Sequence, residues 1–122
     1  MSLRLHHVNL VVPPGMAEET AEFWRGVFGM TDLPRQSLSG RRGAWLSAGD
    51  FELHISERDV MAHSDAHVAI AVADVAAVRA ACLAVGAVWE DADAMFGEGR
   101  GFTRDPGGNR IEVVHDTGGN PL

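Results

Sequence analysis

Among the side chains of types that bind metal ions or move protons, His6, His7, Glu52, His54, His67 and Glu112 stand out by their placement. His7 and His67 are 60 residues apart, each followed by Val, and Glu52 and Glu112 are also 60 apart. Imidazole and carboxylate together form an N/O ligand set suited to zinc, iron, nickel or manganese. A carboxylate or imidazole held beside a substrate can also take and return a proton. Taken singly, each residue has a plainer reading. A strand histidine is more often hydrogen-bonded or solvent-facing, and Glu112 in IEVVH could alternate toward water in a half-exposed sheet. The repeat at one spacing favours a site.

Other chemistries find less support. Asp105-Pro106-Gly107-Gly108-Asn109 reads as a turn, because proline presets φ and glycine supplies positive φ; no helix and no GK[ST] follow it to make a phosphate loop. There is no G-x-S-x-G elbow for nucleophilic hydrolysis. Cys82 is the single cysteine, so an internal disulfide and a thiolate zinc cluster are both excluded. Within AAVRAACLAV it reads as a small buried thiol, in keeping with a reducing cytoplasm.

The elements that must position these residues repeat as well. Leu5 to Val12 alternates as a strand and stops at Pro13-Pro14-Gly15. A helix follows, with Ala17, Ala21, Trp24 and Phe28 at helical spacing, Glu18, Glu19 and Glu22 near its positive end and Gly29 as its stop. Its stripe of Phe23, Trp24, Val27 and Phe28 reads as core. Strands are expected over residues 31–37, 42–47 and 51–56, giving βαβββ. The pattern recurs with a strand over 67–73, a helix ending at Gly86, and strands over 88–91, 100–104 and 110–115. The helix ends Gly29 and Gly86 are 57 apart, so a small insertion intervenes. Two such halves indicate a pseudo-repeat.

Strand parity then sorts the candidates. His7 and Asn9 oppose the apolar Val8, Leu10 and Val12, with His6 on the face opposite to His7. His67 shares a face with Ala69 and Ala71, whose small side chains leave room around it. Glu52, His54 and Ser56 oppose Phe51, Leu53 and Ile55, and Glu112 opposes Ile111 and Val113. His63 and His115 read as surface residues.

At 122 residues and 13.1 kDa the chain fits one domain. A hydrophobic fraction of 46%, a charged fraction of 22% and a mean hydropathy of -0.02 describe a soluble globular chain. The apolar stretch before Pro13 is too short for a signal peptide core or a membrane helix. A net charge of -7 disfavours nucleic acid and anionic membranes as partners. Arg41-Arg42 beside two glycines reads as a basic turn.

Three segments, LHHVNLVV, HVAIAVADVAAVRAACLAVGA and GFTRDPGGNRIEVV, resemble the vicinal oxygen chelate superfamily of glyoxalases, bleomycin resistance proteins and extradiol dioxygenases. The resemblance runs from Leu5 to His115. It implies an α+β fold of two βαβββ modules, about 3–58 and 64–116 with a short tail over 117–122, whose mixed sheets curl into a cup with helices outside. It further implies a divalent metal held by His7, His67, Glu112 and a residue of the first module's last strand. Spacing by 60 selects Glu52 for that place, whereas alignment by the preceding turn selects His54. Glu52, Glu112 or His54 would then carry the substrate's proton in isomerase or lyase chemistry on a small molecule. Part of the acidic charge is expected on the inner surface of the cup. The fold also implies a homodimer. Two alternatives within it are a metal-free ligand-sequestering protein, for which Trp24, Trp45 and Trp89 are suited, and a dioxygenase. The absence of tyrosine, and Asn9 where fosfomycin-modifying enzymes usually have threonine, set the chain apart from two branches.

Overall fold

A computed structural model of the chain describes residues 2–36, 40–59, 65–94 and 99–116. It divides into two compact units, residues 1–62 and 63–122, each built as βαβββ. The first contains β1 (His7–Val12), α1 (Ala17–Phe28), β2 (Thr31–Leu33), β3 (Gly43–Ser47) and β4 (Glu52–Glu57). The second contains β5 (His67–Val72), α2 (Val75–Ala84), β6 (Glu90–Asp91), β7 (Arg100–Arg104) and β8 (Arg110–His115).

Each unit forms a four-stranded mixed sheet, in the order β1-β4-β3-β2 and β5-β8-β7-β6. The first strand lies parallel to the last and the remaining pairs are antiparallel. The α+β class and the repeated modules expected from the sequence are therefore present. The strand over 100–104 and the strand over 110–115 match expectation residue for residue. The strands expected over 31–37 and 88–91 contract to Thr31–Leu33 and Glu90–Asp91. Both belong to sheet edges, where only one neighbour rewards extension. Ser37 lies outside the described residues.

The helices end where local chemistry requires. Gly29 follows α1 at φ 72, and its N–H reaches the Arg25 carbonyl at 3.0 Å. Met16 gives α1 no side-chain cap; instead the Glu57 carboxylate at the end of β4 accepts from Ala17 N at 3.2 Å. In α2, Asp74 caps the start by accepting from Ala77 N at 3.0 Å. The α2 helix stops at Ala84, two residues before the expected Gly86, because Val85 and Gly86 close a turn with Gly86 N bonded to Leu83 O.

In the first unit α1 packs on β3 and β4. Trp24, Ala21, Leu46, Leu53, Ile55 and Val12 are buried there. Each large apolar side chain so buried contributes about 1.5–3 kcal/mol. Val27 and Phe28 of the expected core stripe are only half-buried. In the second unit α2 packs on β7 and β8 with one buried residue, Cys82, over Ile111, Val113 and Thr103. The Trp89 indole lies against Gly101 so closely that any side chain there would overlap it. Among the described residues no helix is long and apolar enough to cross a membrane.

Candidate functional site

In the first unit the face opposite α1 carries an aromatic stack running across three strands. The ladders set His7 beside Glu52, Asn9 beside His54 and Trp45 beside His54. The Trp45 and His54 rings stack at 4.4 Å between centroids and 9° between planes, and His54 and His7 stack at 4.1 Å and 12°. The His54 imidazole, buried between them, faces the half-buried Glu52 with Nε2 2.9 Å from Oε1. That hydrogen bond is the main reason the Glu52 carboxyl lies below its usual value of 4.5. Asn9 accepts from Ser56 Oγ at 2.7 Å.

His6 departs from expectation. It lies just before β1, where strict alternation of side chains no longer holds, and its ring turns back so that Nδ1 lies 2.9 Å from His7 Nδ1. His7 Nε2 has no hydrogen-bond partner among the described residues.

In the second unit the face opposite α2 carries His67, Glu112, Phe102 and two arginines. His67 Nε2 lies 2.9 Å from Glu112 Oε1, and its Nδ1–H donates to the Asp65 carbonyl at 2.8 Å. The second contact makes Nδ1 the donor, so Nε2 meets the carboxylate oxygen either through a proton of its own, as an imidazolium donor, or through a metal ion that both atoms ligate. A histidine that ligates a metal donates its other N–H in this way to a carbonyl.

Arg100 Nε donates to the other Glu112 oxygen at 2.8 Å. Burial acts to raise the Glu112 pKa, but the hydrogen bonds from Arg100 and His67, with their charge, outweigh it and hold the carboxyl below 4.5. Phe102 meets His67 edge-on at 5.7 Å, with the guanidinium carbons of Arg100 and Arg110 at 5.0 and 3.8 Å from its ring centre.

Register compares the two faces directly. His54 is the third residue of β4, opposite Trp45; Glu112 is the third residue of β8, opposite Phe102. From the first unit to the second the numbering advances by 60 for the first strands, 57 for the third and 58 for the last. By ladder position the counterpart of Glu112 is therefore His54, and the counterpart of Glu52 is Arg110.

The structure brings His7, Glu52 and His54 together in one unit, and His67 with Glu112 in the other. Within either unit, among the described residues, no three His, Cys, Asp or Glu side chains are grouped to hold a metal ion. His63 lies outside the described residues, and His115 is half-buried rather than at the surface. Acid does not dominate these faces: Glu52 is the carboxylate of the first, and the second carries Arg100, Arg104 and Arg110 against Glu90 and Glu112. The acidic excess sits elsewhere, as on the exposed Glu18, Glu19 and Glu22 of α1. Sequence reasoning missed Trp45 as a stacking partner and the arginines around Phe102. Alternation in RGFTR already placed Arg100, Phe102 and Arg104 on one face, so parity could have found them.

Residues 10–114 match the family described as Glyoxalase-like domain. No curated protein matches the chain. Among solved structures, a glyoxalase family protein from Bacillus anthracis is 28% identical, with a TM-score of 0.82, covering 96% of this chain and 98% of its own. The fosfomycin resistance protein FosX from Listeria monocytogenes, solved as an E126Q mutant with Mn(II) and 1S,2S-dihydroxypropylphosphonic acid, is 18% identical. Its TM-score is 0.81, over 96% of this chain and 95% of that one. FosX from Mesorhizobium loti is 19% identical with a TM-score of 0.74, over 96% and 94%. The likeness to FosX is one of fold.

Proposed function

Because the chain belongs to the glyoxalase-like domain family, within the vicinal oxygen chelate superfamily, we propose that it is a metal-dependent enzyme acting on a small molecule with two neighbouring oxygens. The observation that carries this reading is the His67–Glu112 pair, whose Nε2 and Oε1 lie 2.9 Å apart while Nδ1 donates to Asp65 O, the orientation a metal-ligating histidine adopts. The donor set fits a divalent ion such as zinc, iron, nickel or manganese. In the second unit His67 and Glu112 are the candidate ligands; in the first they are His7 and His54, His54 taking the place of Glu52 on the strength of its register position. The FosX relative solved with Mn(II) is in keeping with a divalent ion.

When bound, the ion supplies Lewis-acid stabilisation of negative charge on substrate oxygen. The protein's own residues orient and move the proton. Glu52, beside His54, accepts a proton from a carbon next to a carbonyl and returns it to the neighbouring carbon. The His54 hydrogen bond is what chiefly depresses Glu52, so a His54 ring engaged elsewhere restores the basicity of this carboxylate. Trp45 holds the His54 ring plane by stacking.

Metal analysis and calorimetric titration with zinc or manganese test this reading. Wild-type protein is expected to bind one divalent ion per site, and His67→Ala and Glu112→Gln to lose it. No binding by wild type would sink the reading. A second reading is favoured by Arg100, whose Nε already neutralises Glu112 Oε2 at 2.8 Å. In a metal-free sequestering protein that guanidinium serves as the resident cation, and Arg100→Gln would abolish ligand binding instead of tightening metal binding.

We also propose a homodimer, for which the exposed Leu83, Val85 and Val88 offer apolar surface. Light scattering should give twice the chain mass, and a monomer at micromolar concentration would contradict it. The buried, unpaired Cys82 is in keeping with a reducing cytoplasm, which cell fractionation checks.

A further inference from the structure

All ten basic residues of this acidic chain are arginines, and three of them, Arg100, Arg104 and Arg110, fall on the face of the second sheet that carries His67 and Glu112. Two have evident structural tasks. Arg100 holds Glu112 and donates Nη1 to Asp93 O, and Arg104 donates Nη1 to Gly108 O at 2.9 Å. Arg110 differs. Its guanidinium lies 3.8 Å from the centre of the Phe102 ring and makes no hydrogen bond or ion pair among the described residues.

Stacking on an aromatic face holds a guanidinium in place while leaving its in-plane N–H groups free to donate. The ladder sets Arg110 directly beside His67, one strand spacing or about 4.8 Å away. Phe102 forms the wall shared by both, its ring centre 5.7 Å from that of His67.

We infer that Arg110 is a specificity-determining residue that binds an anionic group, a carboxylate or a phosphonate or phosphate, on the substrate next to the oxygens held at His67 and Glu112. This rests on the metal-enzyme reading and narrows it to anionic substrates. A planar fork matches either class of anion in two parallel hydrogen bonds, and such charge-assisted bonds are about twice as strong as neutral ones. Glu52 occupies the equivalent place in the first unit, where an anion would be repelled, so the anion site belongs to the second unit alone.

The test is titration of methylphosphonate, acetate and neutral ethylene glycol into zinc-loaded and metal-free protein. The Arg110 Nε–Hε resonance is followed by NMR in wild type, anion affinity in wild type and every variant is read from backbone amide shifts, and zinc binding is read separately by calorimetry. Methylphosphonate or acetate is expected to shift that resonance and ethylene glycol to leave it in place; the tighter of the two anions identifies the class. Arg110→Gln should weaken anion binding by about tenfold or more, as loss of a charged hydrogen bond requires. Arg110→Lys, which keeps the charge but not the planar fork, should recover only part of it, and Arg104→Gln should change it by less than about twofold. Equal anion affinity in wild type and Arg110→Gln, with both folded by their amide spectra, would overturn the inference. So would an equal loss in Arg104→Gln. Failure to bind zinc alongside an Arg110-dependent anion response would overturn the metal reading and leave the anion site standing.

Discussion

Position for position, the first sheet carries Glu52, His54 and Trp45 where the second carries Arg110, Glu112 and Phe102. The backbone ladders are the same, yet the chemistry is inverted. The first face is an imidazole and indole stack with one carboxylate beside it. The second is a carboxylate held between an imidazole and a guanidinium, with a further guanidinium free on an aromatic ring. Two modules of one topology thus place His7 and His67, and His54 and Glu112, at equivalent ladder positions, while the flanking positions diverge into acid and base. The helices diverge as well. α1 buries Trp24 and Phe23 with three smaller residues, whereas α2 buries Cys82 alone. The first unit is held by a large aromatic core and the second depends more on its sheet and turns.

The largest expected effect tests this difference in cores. Trp24→Ala should lower stability by about 3–5 kcal/mol, the range for deleting a large buried aromatic. Cys82→Ala removes one buried sulfur and should lower it by only about 1 kcal/mol. Urea denaturation compares them, and equal losses would show that the two units do not rest on unequal cores.

The equivalence of His54 and Glu112 can be broken by zinc affinity. Removing a ligand should weaken binding by more than the ~10–100-fold that second-sphere partners are worth, in His54→Ala and Glu112→Ala alike. Glu52→Gln should stay within that second-sphere range. If Glu52→Gln abolished binding while His54→Ala retained it, spacing by 60 would be the better guide and register the worse.

The smallest effect concerns acid stability in chelator-treated protein. Glu112 is depressed below 4.5 in the folded state, so its contribution to stability is fully present above the unfolded value and fades as pH falls through the folded one. Glu112→Gln should flatten the acid limb of a stability-versus-pH curve below 4.5. Glu52 is depressed too, but it is more exposed than Glu112, so Glu52→Gln should alter that limb less. An unchanged limb in Glu112→Gln would mean that its contacts with Arg100 and His67 add nothing to stability.

Much of this was legible before any coordinates. Alternation along β1, β4, β5 and β8 placed His7, Asn9, Glu52, His54, His67 and Glu112 on the faces where they are found, because a strand's period of two is a property of the extended backbone itself. Proline and glycine marked the ends of β1 and α1 for equally local reasons. The turn at Asp105 to Asn109 was readable too, and it closes with Asp105 N on Asn109 O.

The rest depends on contacts between strands. Loops of unequal length shift the last strands by 58 and the first by 60, so numbering could not reveal that His54 rather than Glu52 stands where Glu112 does. Nor could it show that one arginine is committed to Glu112 and another is left on Phe102. Local sequence determines which way each side chain points, since that depends on its own backbone. Which side chains meet is set by register, and register depends on the hydrogen-bonded ladder as a whole.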